Sequence, residues 1–258
     1  LAVGVNSADT LADIASKVVT KITAETDLPV SAAVNGAANE QVDLTAKNKG
    51  LEANKIDVRV NYYDDEELPA GLTATVTALA GGAGNPDIAD VFTAIGDEWF
   101  TDIVAPYTDA ANLNALKSEL ETRFGPMAMI DGHAYIGLSD THANLITEGQ
   151  NHNSPHVSFV SSDASPSPHY EWAAAVGAVG AFYAKQDPAR QLRTVKLPGL
   201  LPPKVTKRFT ATEQELLLRN GMSTWYVDAD GAVRLDRLIT SYRENELGAA
   251  DPSYLDFT

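Results

Sequence analysis

Between Trp172 and Ala184 the chain reads WAAAVGAVGAFYA, thirteen residues without a charged side chain. A membrane-spanning helix needs about 20 apolar residues, so this run is too short to cross a bilayer. The spacing predicts a helix over 170–186 that is apolar almost all round, and such a helix is stable in water only when other elements cover it. Gly177 and Gly180 predict that a neighbouring backbone comes close to it. A chain containing this segment must therefore build layers around it.

The surrounding sequence supplies them. From AGGAGNPD (80–87) onward, helical and extended patterns alternate, which predicts an α/β domain over 83–258: a mixed sheet with helices on both faces. Asn85 and Pro86 signal the start of a helix over 86–96. A strand follows in WFTDIVAPY (99–107). Leu113, Leu116, Leu120 and Phe124 form the buried stripe of a helix over 109–126, stopped by Gly125-Pro126. Strands are predicted at 133–138 and 156–162, with a helix over 140–150 between them. SPSP (165–168) reads as a loop and 193–200 as extended chain. Thr210 or Thr212, with acidic residues in the next turn, starts a helix that Gly221 ends.

The first 82 residues have a different texture and read as a smaller β-rich subdomain carrying one helix. Leu11, Ile14, Val18 and Ile22 share a face of that helix, which Ser7 or Asp9 would cap. Strands are predicted at Val30–Val34, 41–46, 55–63 and 71–79, forming a half-exposed antiparallel sheet.

The formal net charge is −16, which disfavours a partnership with nucleic acid. The chain has no cysteine, and so neither a disulfide scaffold nor a thiol nucleophile. No membrane insertion and no signal peptide are expected. The chain starts at Leu1 within a helical pattern, which reads as a trimmed piece of something longer.

Candidate chemistry is sparse. In VDADGAV (227–233), acidic residues alternate up to a glycine, as at the start of a calcium loop. Setting Gly231 at the loop's glycine position, however, puts Tyr226 first and Arg237 last, where carboxylates are required. The flanks are strand-like, so Asp228-Ala-Asp-Gly231 reads as a hairpin turn with the glycine at positive φ. GGAGNPD lacks the further glycine or the Lys-Ser/Thr of a phosphate loop, Pro86 removes a donor and Asp87 repels an anion, so it reads as a joining loop. His152 and His156 have a zinc-compatible spacing, but Pro155 and the neighbouring asparagines predict a solvated loop. Asp64-Asp65-Glu66-Glu67 reads as a solvated run. His133, His142 and His169 are scattered, and no G-x-S-x-G elbow occurs. No catalytic, cofactor-binding or metal residue is assigned, no cofactor is expected, and the chain is expected not to be an enzyme.

The C-terminal third carries a more specific pattern. A helix ending L-x-x-N-G (Leu217 to Gly221), a strand, a glycine turn and a strand ending R-x-I-T-x-Y (Arg237 to Tyr242) follow in order. Together with 187–203, 244–258 and LPAGLTATVTALAGGAGNPDIADVFTAIGDEWFTDIVAPYTD (68–109), this pattern resembles the contractile-tail sheath proteins of bacteriophages, in their Mu-like branch. The resemblance spans nearly the whole chain. It implies a structural, non-enzymatic virion component, assembled in the host cytoplasm. Its partners would be neighbouring sheath subunits, stacked as hexameric rings, and the tail tube protein. Contraction would drive the tube through the host envelope for genome ejection. A pyocin-like or secretion-type contractile system is the alternative, and an α/β hydrolase with a cryptic site a more distant one. The family's core is described as subtilisin-like in fold, but nothing here matches a subtilisin's histidine or serine motifs. The resemblance also implies terminal arms absent from this chain, which by itself would be monomeric. The DADG turn would lead the chain toward the C-terminal arm. Repulsion between acidic cores would be offset locally by clusters such as Lys204, Lys207 and Arg208.

Overall fold

The computed structural model describes residues 1–62 and 65–255, which form two compact units, Leu1–Pro86 and Asp87–Thr258. Tyr63, the end of the predicted 55–63 strand, and Asp64 of the carboxylate run lie outside the described residues.

In the smaller unit, helix α1 (Leu11–Ala24) packs on a hairpin of β1 (Val30–Val34) and β2 (Val42–Ala46), paired from Val30↔Ala46 to Val34↔Val42. Thr10, rather than Ser7 or Asp9, caps the helix, in a reciprocal box with Asp13. Asp9 instead pairs with Lys17. Ile14, Val18 and Ile22 are half-buried, but Leu11 is exposed. The segments 55–63 and 71–79 are not strands in the described residues. Residues Leu51–Lys55 form a 3-10 turn, and much of 71–79 is exposed. Apolar alternation makes one face of a strand, but a strand exists only with a partner strand, and among the described residues these segments pair with none.

The larger unit is an α/β fold. Its sheet has the order β3 (Asp102–Ala105), β4 (His133–Ser139), β5 (Val157–Ser162), β6 (Met222–Val227), β7 (Val233–Arg237). The first four strands are parallel, and β7 is antiparallel to β6. Alternation along the strands splits the core into two layers. Ala134, Ile136, Leu138 and Phe159 meet α2 (Ile88–Ile95), α3 (Ala110–Phe124), α4 (His142–Asn151) and α6 (Ala211–Arg219). Tyr135, Val160, Trp225 and Leu235 meet α5 (His169–Gln186). Helices thus cover both faces. The outer edge of β7 is closed by backbone bonds to 192–197, such as Leu235 N–H to the Val195 carbonyl at 2.8 Å, whereas β3 pairs with β4 alone among the described residues.

The apolar helix α5 is not buried all round. His169, Trp172, Ala173, Val176, Gly177 and Gly180 face the sheet, while Phe182 is 57% exposed. Its many alanines make the solvent face apolar at little cost in exposed area. Gly177 and Gly180 do not receive a backbone: Gly177 makes room for a Val104 methyl and the Tyr135 ring, and a Cβ on Gly180 would stand 2.5 Å from the phenol oxygen. The close backbone approach is at Gly137 in β4, where a Cβ would lie 1.8 Å from the His169 carbonyl oxygen. This glycine lets the start of α5 rest directly on the sheet. Trp172 and Trp225 pack against each other in a tilted arrangement, ring centroids 4.8 Å apart and planes at 42°. Their N–H groups are satisfied by Ser165 Oγ and the Ser161 carbonyl, as buried indoles require.

Other boundaries shift for local reasons. Asp87 caps α2 through the Ala89 N–H, and Asn85 instead accepts from the Leu51 N–H. Leu113, Leu116 and Leu120 of α3 are buried, but Phe124 is exposed and tilts against the His156 ring. Among the described residues no helix is long and apolar enough to cross a membrane.

Candidate functional site

The R-x-I-T-x-Y stretch leaves β7 and runs across the N-terminal ends of β5 and β6, where it builds a polar seam. Short hydroxyl side chains line the seam because each strand begins with one there: Ser158 in β5, Ser223 in β6. The Ile239 carbonyl accepts from Ser158 Oγ at 2.7 Å and Ser223 Oγ at 3.2 Å, and the Ile239 N–H donates to Ser223 Oγ at 3.0 Å. Ser241 exchanges two bonds with the backbone of Ser154 and gives its own N–H to the Val157 carbonyl at 2.8 Å. Ser154, Ser158, Ser223 and Ser241 are buried, so these bonds replace water that cannot reach them.

From the seam the chain continues under restraint. Thr240 N–H donates to the Leu255 carbonyl at 2.9 Å, and its hydroxyl donates to the Tyr254 carbonyl. Tyr242 bonds Asp251 at 2.9 Å and meets the Tyr254 ring edge-on. That bond raises the Tyr242 pKa, while Ser253 and then Tyr242 hold Asp251 below the usual carboxylate range. The Arg243 guanidinium reaches the carbonyls of Gly149, Gln150 and His152 at 3.3–3.4 Å, a cation on the C-terminal end of α4. Asn153 accepts from the Arg243 N–H at 2.7 Å. The segment 151–158 is thus a partly buried anchor: His152 and Ser154 are buried where its composition predicts a solvated loop, while Asn151 and Asn153 are exposed. His152 is buried against Phe159, and His156 is half-buried against Phe124. Burial lowers the pKa of both.

One pair in the seam has the composition of a nucleophile and its base: His133 Nε2 lies 2.8 Å from Ser158 Oγ. The proton arrangement is the reverse of what catalysis needs. The Ser158 hydroxyl hydrogen is given to the Ile239 carbonyl, so the ring nitrogen must be the donor. Burial, and then the nearby His156, push the His133 pKa down to about 3. Both side chains are buried, which makes the pair a scaffold contact.

The other sequence candidates lie elsewhere. Asp228 Oδ1 accepts from the N–H groups of Asp230 and Ala232, and Oδ2 pairs with Arg234, so the carboxylate is committed to its own turn. Arg234 holds its pKa low. Gly231 sits at φ 77° between β6 and β7. Of the glycines in GGAGNPD, Gly82 packs at the 3-10 turn, where a Cβ on it would stand 2.3 Å from the Gly50 carbonyl oxygen. Asp65, Glu66 and Glu67 are exposed.

Comparison with known proteins places this architecture. Residues 81–241 match the model of the phage tail sheath protein central domain. The chain belongs to the phage tail sheath family. It is 39% identical over 251 residues to the Mu-like prophage FluMu tail sheath protein of Haemophilus influenzae, an alignment covering 97% of this chain and 51% of the relative. Sheath tail proteins from Desulfitobacterium hafniense and Listeria innocua are similar solved structures. The first has a TM-score of 0.49 at 14% identity, over 87% of this chain and 47% of that one. The second has 0.48 at 17%, over 88% and 52%. The chain spans about half the length of these relatives. In this sheath chain the family match ends at Ser241, inside the polar seam.

Proposed function

We propose that the chain is the core of a contractile tail-sheath subunit, which polymerises around a tail tube and drives it through the host envelope when the lattice shortens. The observation that carries this reading is the similarity to the FluMu sheath protein across 97% of the chain. The structure is consistent with a load-carrying role. Its most polar buried region commits hydroxyls, a histidine and an arginine to holding 239–255 against the strand ends, an arrangement that would transmit force from the C-terminal side into the sheet. The same reading makes the chain non-enzymatic, with sheath neighbours and the tube as its partners in a virion. Negative-stain microscopy tests it: a polypeptide of the relatives' length carrying this core should form tubes. Failure to polymerise at any ionic strength, or hydrolysis of peptide or ester substrates abolished by Ser158→Ala, would overturn it.

A further inference from the structure

Two exposed patches lie at opposite ends of the five-stranded sheet and complement each other in charge and character. At the N-terminal ends of β3 and β4, Trp99 (58%), Phe100 (42%), Met127 (96%) and Met129 (70%) are exposed together in the two segments that enter those strands. The Trp99 indole N–H donates to the Asp131 carbonyl at 2.8 Å, tying the two segments to each other. Their rim is acidic: Glu98 and Asp131 are both exposed. At the C-terminal end of the sheet is the turn 201–208. Ser165 Oγ bonds the Leu201 carbonyl there, and Lys207 pairs with Asp163 just beyond β5 at 3.5 Å. On this turn Leu201 (51%) and Val205 (74%) are exposed among Lys204, Lys207 and Arg208. Positive charge so concentrated stands out on a chain with 19 basic against 35 acidic residues.

We infer that the basic turn 201–208 of one copy of this chain docks on the acidic, aromatic patch around Trp99 and Met127 of the next. The occupant is chosen by complementarity: an apolar tip with a cationic flank meets an apolar patch with an anionic rim. An exposed Trp such as Trp99 is the usual kind of anchor for such a contact. Because the two surfaces sit at opposite ends of the sheet, the contact is head-to-tail. Repetition then gives a ring or an open helical polymer instead of a closed dimer. The patches are small, so the contact is weak in an isolated pair. This inference rests on the sheath reading and names a face for its subunit contact.

Disulfide trapping tests it: these 258 residues contain no cysteine, and any cysteine elsewhere in the longer polypeptide is replaced by serine. Met127→Cys and Val205→Cys lie at highly exposed positions, where substitution leaves the fold intact. The two variants are mixed in tubes of a polypeptide of the relatives' length and oxidised. The mixed 127–205 disulfide should exceed either like pair by about tenfold, the ratio that about 1.4 kcal/mol of preference gives. Lys204→Glu with Lys207→Glu should abolish it, and adding Glu98→Lys with Asp131→Lys should restore it. Tubes in which like pairs dominate, or in which no 127–205 disulfide forms, would overturn this contact and leave the sheath reading standing. Absence of tubes would overturn both.

Discussion

Replacing His133 by Gln should make the larger unit less sensitive to acid, by an amount that follows from the burial of the ring. His133 is 8% exposed, and its folded pKa is about 3 against an ordinary 6.5. A depressed histidine pKa means that the unfolded chain takes up a proton which the folded chain refuses. Stability is therefore complete above the unfolded value and is lost as pH falls from about 6.5 toward 3. At pH 7 the unfolded imidazole is mostly neutral and the mismatch costs about 0.2 kcal/mol; at pH 5 it costs about 2 kcal/mol. Gln keeps an N–H that can serve Ser158 Oγ but does not titrate.

The assay is urea unfolding from pH 7 to pH 5 followed by tryptophan fluorescence. Trp99, Trp172 and Trp225 are the chain's three tryptophans, and all lie in the larger unit, so the signal reports on that unit alone. His152 and His156 also have pKa values lowered by burial, but both remain in the variant and largely cancel in the difference. The wild type should lose about 2 kcal/mol more than His133→Gln over this interval. A stability difference that stays constant with pH would refute the claim that His133 is held neutral by burial.

Gly137→Ala places a methyl 1.8 Å from the His169 carbonyl oxygen, a backbone atom, so α5 must lift, at a cost of about 3 kcal/mol in urea unfolding; Gly180→Ala, which meets the tip of the Tyr135 side chain, should cost less. Gly231→Val should cost about 1–3 kcal/mol, since a β-branched residue fits φ 77° poorly. Melting curves of the wild type with millimolar calcium and with chelator should coincide, because the Asp228 oxygens are already engaged by Asp230, Ala232 and Arg234. Thr240→Val removes the hydroxyl that holds the Tyr254 carbonyl and should cost about 1 kcal/mol, with faster amide exchange over 242–255 and little change in β4 and β5.

The layered α/β architecture was legible because its signals are local. The Leu113, Leu116, Leu120 stripe, the Thr210 capping box and the Gly231 turn each depend on residues a few positions apart. The errors share a cause as well. Alternation over 55–63 and 71–79 satisfies the strand pattern, but whether a partner exists is not a property of the segment. The wide apolar run of α5 suggested burial all round, yet alanine tolerates an exposed face, so the pattern overstated how much of the helix the fold covers.

The polar seam was illegible for a deeper reason. Ser158 and Ile239 are 81 positions apart, Ser154 and Ser241 are 87, and Arg243 lies 94 from the Gly149 carbonyl it holds. A serine in a strand has low intrinsic value on any propensity scale, and nothing within its window says that it will meet a carbonyl arriving from the far end of the chain. The one local trace was the R-x-I-T-x-Y string itself. There Thr240 and Tyr242 stand where a plain strand would carry alternating apolar residues, and both turn out to bond the chain beyond them. A departure from strand chemistry at the end of an edge strand thus marks the point where the chain stops extending the sheet and is clamped across it. The hydroxyls of Ser158 and Ser223 join that segment to two parallel strands at once, so its attachment is spread over β5 and β6 as well as β7.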